Sequence, residues 1–139
     1  MWILPQSDEN YRLLNEIKDE VSHSNGEAFV MKSCVDEDSK RIITKRFNEA
    51  RDEEYKELLE KCDDFFAEID KEISRKNFTF AEIEENEEEL KKLKEWYGKI
   101  MARDPFGAEL RERSKAMVSK CSDILDEFCD KVYDFNNKA

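Results

Sequence analysis

Apolar residues recur along this chain with two different periods, and the change falls near residue 35. Leu13, Leu14, Ile17 and Val21 form one stripe of a helix that Ser7 is placed to cap. Asp8 and Glu9 stand in its first turn, where negative charge suits the helix dipole, and Asn25-Gly26 ends it. Before this helix, Met1-Trp2-Ile3-Leu4-Pro5 reads as the tail of a strand. After it, Glu27 to Val35 is β-branched and aromatic in character and bounded by turn residues, so a second strand is expected. Residues 1–35 are therefore predicted to be a strand–helix–strand piece.

Beyond Val35 the spacing is helical. From about Ser39 to Arg75 the apolar positions are Ile43, Phe47, Ala50, Leu58, Cys62, Phe65, Ile69 and Ile73. A straight helix of about 36 residues would run ~54 Å, so a kink or a break is expected, any break falling before Tyr55. Thr79 and Glu82 then make a capping box, with Phe78 and Ile83 positioned as its hydrophobic staple. The helix that follows, about Phe80 to Ala102, carries Ile83, Leu90, Leu93, Tyr97 and Ile100 on a coiled-coil-like seam interrupted by Asn86. Glu87 with Lys91 and Glu88 with Lys92 are favourable pairs on its outer face. A last helix begins after Gly107, carries Leu110, Met117, Cys121, Ile124, Phe128, Val132 and Phe135, and ends near Asn136-Asn137.

Three helices with short connections must pack antiparallel to bury such stripes. The fold class expected is mainly α (α+β): a β-α-β piece over residues 1–35, then a long antiparallel helical hairpin or three-helix bundle over 36–139. The bundle turns at Arg103-Asp104-Pro105-Phe106-Gly107-Ala108. That corner holds one of only two prolines and one of only three glycines in 139 residues, so the helix before it must stop near Arg103.

Composition narrows the chemistry. The net charge of −11 argues against broad non-specific binding to nucleic acid or anionic membrane, both of which favour a basic surface. No stretch approaches the ~20 apolar residues that span a bilayer, and no basic segment followed by an apolar run opens the chain, so a cytoplasmic location is expected. Cys34, Cys62, Cys121 and Cys129 lack CxxC spacing and read as reduced core residues. His23 is the only histidine, which makes a zinc site of common type hard to assemble. No glycine opens a phosphate loop. No catalytic residues, metal or cofactor are assigned, and the acidic run Glu82 to Glu89 reads as a solvated helix face.

Two basic clusters interrupt the acidity. Lys40, Arg41, Lys45 and Arg46 lie within two helical turns, and Arg111, Arg113 and Lys115 follow the corner. Arg103 and Asp104 are placed to pair with charges from Arg51-Asp52-Glu53-Glu54-Tyr55. An arginine fork holds carboxylate well. Arg51, Tyr55, Arg103 and Asp104 are accordingly candidates for a structural clamp, or for binding a small oxyanion.

Five segments carry a family resemblance: Trp2-Ile3-Leu4-Pro5, Asp8-Glu9-Asn10, Gly26-Glu27-Ala28, Arg51-Asp52-Glu53-Glu54-Tyr55 and Arg103-Asp104-Pro105-Phe106-Gly107-Ala108. In this order and at these separations the chain resembles the N-terminal domain of the ChrB chromate-resistance family. The resemblance implies a chromate-responsive transcriptional regulator of a chromate-efflux operon, in which this domain precedes a second one. These 139 residues correspond to the N-terminal part, so whatever depends on the second domain is not carried over. It also implies that Trp2 to Pro5 is the third strand of a ferredoxin-like unit whose earlier elements are missing here. Residues 1–35 would then be half a unit. Their two strands would pair directly as a right-handed βαβ, or be completed by a second copy.

Three functional readings follow. The first is a non-enzymatic regulatory domain contributing oligomerisation or signal relay, with self-association or another protein chain as partner, chromate as a candidate oxyanion ligand, and DNA contact only with the missing parts. The second is a helical interaction module whose seam at Ile83, Leu90, Leu93 and Tyr97 docks a partner helix. The third is an enzyme or direct chromate handler using Cys121 and Cys129 with Arg103.

Overall fold

A computed structural model describes residues 1–138. Their regular structure consists of four helices: α1 (Asp8–His23), α2 (Glu37–Ser74), α3 (Phe80–Ala102) and α4 (Arg111–Asn137). The chain divides into two compact units, Met1–Arg41 and Ile42–Ala139.

In the first unit, α1 begins and ends where its sequence signals lie. Ser7 Oγ accepts the amide of Asn10 at 3.0 Å, and the Asn10 side chain reaches back to the Pro5 carbonyl at 2.8 Å. At the other end Gly26 N donates to Val21 O and Asn25 N to Ser22 O. Asn25 takes the left-handed conformation (φ 62°) that this closing motif needs. The expected strands are not formed. Residues 1–6 and 27–35 have no regular structure, and no strand occurs among the described residues. A strand exists only through its neighbour's hydrogen bonds, and a lone pair of strands is marginal in water. Here no main-chain hydrogen bond joins residues 1–6 to 27–35, so the β-branched, aromatic character of Glu27 to Val35 has no ladder to act on. The alternation survives without the ladder: Ala28 and Val30 are half-buried, whereas Phe29 and Met31 are each 82% exposed. No residue of α1 is buried.

The second unit holds the core. The buried positions of α2 are Tyr55, Leu58, Cys62, Phe65, Ile69 and Glu72; those of α4 are Ser114, Val118, Cys121, Leu125, Phe128 and Val132. Both sets advance by alternating steps of three and four, as do Ile83, Asn86, Leu90 and Leu93 in α3. Such spacing suits helices lying side by side at shallow angles. The α3 seam is therefore spent inside the bundle, not left free for a partner helix. Leu90 and Leu93 are each only 7% exposed.

Contrary to the expected break before Tyr55, α2 continues without interruption for 38 residues, about 57 Å at the usual rise. No proline or glycine lies in it, so nothing in its backbone chemistry forces a stop. It starts two residues earlier than expected because Asp36 caps it, taking the Ser39 amide at 2.7 Å. That bond holds the Asp36 carboxyl below its ordinary value. At its end Lys76 adopts φ 53°, with Asn77 N bonded to Glu72 O and Lys76 N to Ile73 O. Thr79 Oγ1 then accepts the amide of Glu82 and opens α3. The Asn77 side-chain amide bridges the carboxylates of Glu72 and Glu82 across this turn.

Candidate functional site

The corner between α3 and α4 gathers the densest set of long-range polar contacts in the second unit. Arg103 ends α3, and Gly107 takes φ +70°, a conformation that would strain other residues. Asp104 is 3% exposed. Its carboxylate accepts the Ala108 amide at 2.8 and 3.0 Å and the Tyr55 hydroxyl at 2.9 Å. Tyr55 is fully buried on α2. Burial, then the hydrogen bond to Asp104 and its charge, push the Tyr55 hydroxyl well above the usual phenol value.

The arginines sit on the outer side of this contact. Arg51 Nη1 donates to the Arg103 carbonyl at 3.2 Å, and Arg103 Nη2 meets Glu54 Oε1 at 2.7 Å. Arg51 Nε lies 2.8 Å from Glu54 Oε2. That pair is off the hydrogen-bonding direction, so both atoms lack a hydrogen-bond partner and are held by charge alone. Glu54 thus occupies both guanidinium groups, and an added oxyanion would have to compete with it. Phe106 completes the corner by meeting Phe47 edge to face, ring centres 5.5 Å apart.

The four corner candidates, Arg51, Tyr55, Arg103 and Asp104, are thus brought into one network. The basic cluster is not. Lys40, Arg41, Lys45 and Arg46 are all exposed on α2; Arg41 pairs with Asp38 at 3.3 Å and Lys45 with Glu49 at 3.8 Å. Arg113 and Lys115 are exposed as well, whereas Arg111 Nη1 turns back to the Asp104 carbonyl at 3.5 Å.

Sequence reasoning missed the parts played by Asp52 and Glu54. α4 starts at Leu110, which has no side chain able to cap it; Asp52 Oδ1 on α2 accepts the Leu110 amide at 2.9 Å instead. The signal was present: Gly107-Ala108-Glu109-Leu110 contains no Ser, Thr, Asp or Asn side chain to accept the cap hydrogen bond.

The thiols are placed differently from what an accessible thiol–arginine site requires. Cys62 and Cys121 are fully buried against each other, with Cys121 Sγ 4.0 Å from the Cys62 carbonyl. The hydrogen bond with Cys62, reinforced by burial, pushes the Cys121 thiol far up. Cys129 is half-buried and is also pushed up, by burial and then by Glu87, Asp126 and Asp130. Cys34 is exposed. No group of three or more metal-ligating side chains occurs among the described residues.

A small mainly helical domain with a polar, buttressed corner is the class that these observations define. Along its whole length, residues 1–139, the chain matches the family model described as "Protein ChrB, N-terminal", and it belongs to that family. This places it among chromate-resistance proteins. Neither curated proteins nor solved structures give a match. Among the described residues no helix is long and apolar enough to cross a membrane.

Proposed function

We propose that this chain is a non-enzymatic regulatory domain of the ChrB type, which contributes chain–chain association or signal relay to chromate-responsive transcriptional control in the cytoplasm. The observation that carries this reading is the family match over residues 1–139. Two structural features support it. The first unit exposes Trp2, Phe29 and Met31 at 79–82% and buries no residue of its helix, which suits a surface completed by another chain. The corner ties α2 to the start of α4 through Tyr55, Asp104 and Asp52, which suits a clamp that transmits strain between helices.

Light scattering with and without chromate, with sulfate as the control anion, tests it. Association that responds to chromate and not to sulfate is the expected result. A monomer indifferent to both anions at all concentrations would remove the regulatory reading.

The alternative is a helical interaction module without a chromate or DNA role. Phe80, Tyr133 and Phe135, each 50–52% exposed on α3 and α4, favour it. Chromate-independent association lost on replacing these aromatics would select it.

A further inference from the structure

The geometry points to a redox latch in the core: Cys62 on α2 and Cys121 on α4 form a dithiol that a hydroperoxide, acting as a two-electron oxidant, converts to an interhelix disulfide. Both residues are fully buried. The Cys121 sulfur lies 4.0 Å from the Cys62 carbonyl oxygen, and the two thiols share a hydrogen bond. Buried cysteine usually serves as a small apolar residue. Two in one layer of the core have a chemistry that no apolar pair offers.

Their meeting is set by the corner. Asp52 reaches Leu110 across 58 positions, and Cys62 reaches Cys121 across 59. The two helices therefore run in the same direction and keep one register from the corner to the thiols. Cys62 stands about two turns beyond Tyr55, which is bonded to Asp104. Cys129 cannot replace Cys62 as the partner of Cys121. It lies eight residues further along the same helix, about 12 Å at the usual rise, whereas bridged Cα atoms lie within about 7 Å. Cys34 is exposed in the first unit and meets oxidant directly.

Neither thiol of the pair reaches solvent while the bundle is closed, so oxidation begins with a local opening of α4. One sulfur attacks hydrogen peroxide and takes one oxygen as sulfenic acid, while the other oxygen leaves as water. On closure the corner brings the second thiol back to its place. Its sulfur displaces the hydroxyl of the sulfenic acid, which leaves with the thiol proton as a second water. Two thiols and one peroxide thus give one disulfide and two waters. The new bond joins α2 to α4, and the closed core shields it from reductant. A chain that opens in the presence of oxidant is then locked shut. This inference does not depend on the regulatory reading.

The test exposes the full chain, folded in buffer and unfolded in urea, to excess hydrogen peroxide. Cleavage at lysine and glutamate places the four cysteines on separate peptides, and mass spectrometry shows which have joined. In the unfolded chain Cys121–Cys129 should lead, because closing the short loop is favoured about twenty-fold over closing the long one. In the folded chain Cys62–Cys121 should be the main bond within the chain. The folding equilibrium of the oxidised chain, read in urea, should then rise by up to about a thousand-fold from loop closure. Dithiothreitol added in urea should reverse the gain, and it leaves methionine sulfoxide untouched, so the reversal assigns the gain to the disulfide. The same pairing in folded and unfolded chains overturns the proposal. Cys62 and Cys121 remaining as thiols while Cys34 is fully oxidised, or ending as sulfinic acid, overturns it as well. So does a Cys62–Cys121 bond that brings no gain in stability. No substitution is involved, so a misfolded variant cannot obscure the result.

Discussion

Tyr55→Phe is the most direct probe of the corner. It removes one buried oxygen and leaves the ring in place, so no cavity term enters. The lost bond runs from a fully buried hydroxyl to a carboxylate that is 3% exposed. Hydrogen bonds to charged groups are worth about 1.5–3 kcal/mol. Asp104 keeps the Ala108 amide, so the variant does not leave a bare charge, and a loss of about 2 kcal/mol is expected. The outer ion pair sets the contrast. Arg103 and Glu54 have side chains 54% and 29% exposed, and after solvent screening such pairs contribute about 0–1 kcal/mol. Urea unfolding followed by circular dichroism, on Tyr55→Phe, Asp104→Asn, the double variant and Arg103→Gln, separates the two. Midpoints should fall with unchanged slopes, and the double variant should show a coupling of about 1–2 kcal/mol between Tyr55 and Asp104. The reasoning is refuted if Tyr55→Phe lies within about 0.5 kcal/mol of the parent, the usual scatter of surface changes. Strict additivity of the two losses refutes it as well.

Other parts of the structure make equally specific claims. Because the Tyr55 pKa is raised in the fold, the unfolded chain loses that proton first. Stability should be complete below about pH 10, the ordinary tyrosine value, and should fall as pH rises above it; alkaline unfolding curves of the parent and Tyr55→Phe read the difference. Ser114 Oγ is fully buried with no hydrogen-bond partner, so Ser114→Ala should raise stability by about 1 kcal/mol; a loss measured in urea would show that the hydroxyl has a partner after all. Lys76 holds a left-handed conformation, and Lys76→Gly should add about 1 kcal/mol, visible as a higher melting temperature. With a thiol reagent, Cys34 should react at once and Cys129 slowly, Cys62 and Cys121 only on unfolding; rapid labelling of all four cysteines counts against the core described here.

Most helix termini with a local cap were legible in the sequence; the start of α2 was not, because its local cap Asp36 lies outside the apolar stripe that marked the helix. Ser7, Asn25-Gly26, Thr79-Glu82 and the proline–glycine corner each act within a few residues of themselves, and the structure places helix ends at all of them. What depends on distant partners was not. The strands of residues 1–35 were read from side-chain character, which says nothing about whether a neighbouring strand is present to take the hydrogen bonds. The break before Tyr55 was inferred from length alone, although residues 37–74 contain no proline or glycine to cause one. At the corner the four candidate residues were identified because they cluster as two short motifs. Glu54 as the shared carboxylate and Asp52 as the remote cap emerged only when α2 was set beside residues 103–110.

The corner bonds join residues far apart in the chain: Tyr55 to Asp104 and Glu54 to Arg103 across 49 positions, Asp52 to Leu110 across 58. Closing a loop of that length costs about 3–4 kcal/mol of chain entropy, whereas the turn between α2 and α3 closes almost at once. The α2–α3 turn should therefore assemble before the folding barrier and the corner after it. Changes at Tyr55 or Asp104 should leave the refolding rate nearly untouched and speed unfolding by about ten-fold per 1.4 kcal/mol lost. The corner then acts as a latch: it governs how long the folded domain lasts, not how quickly it forms.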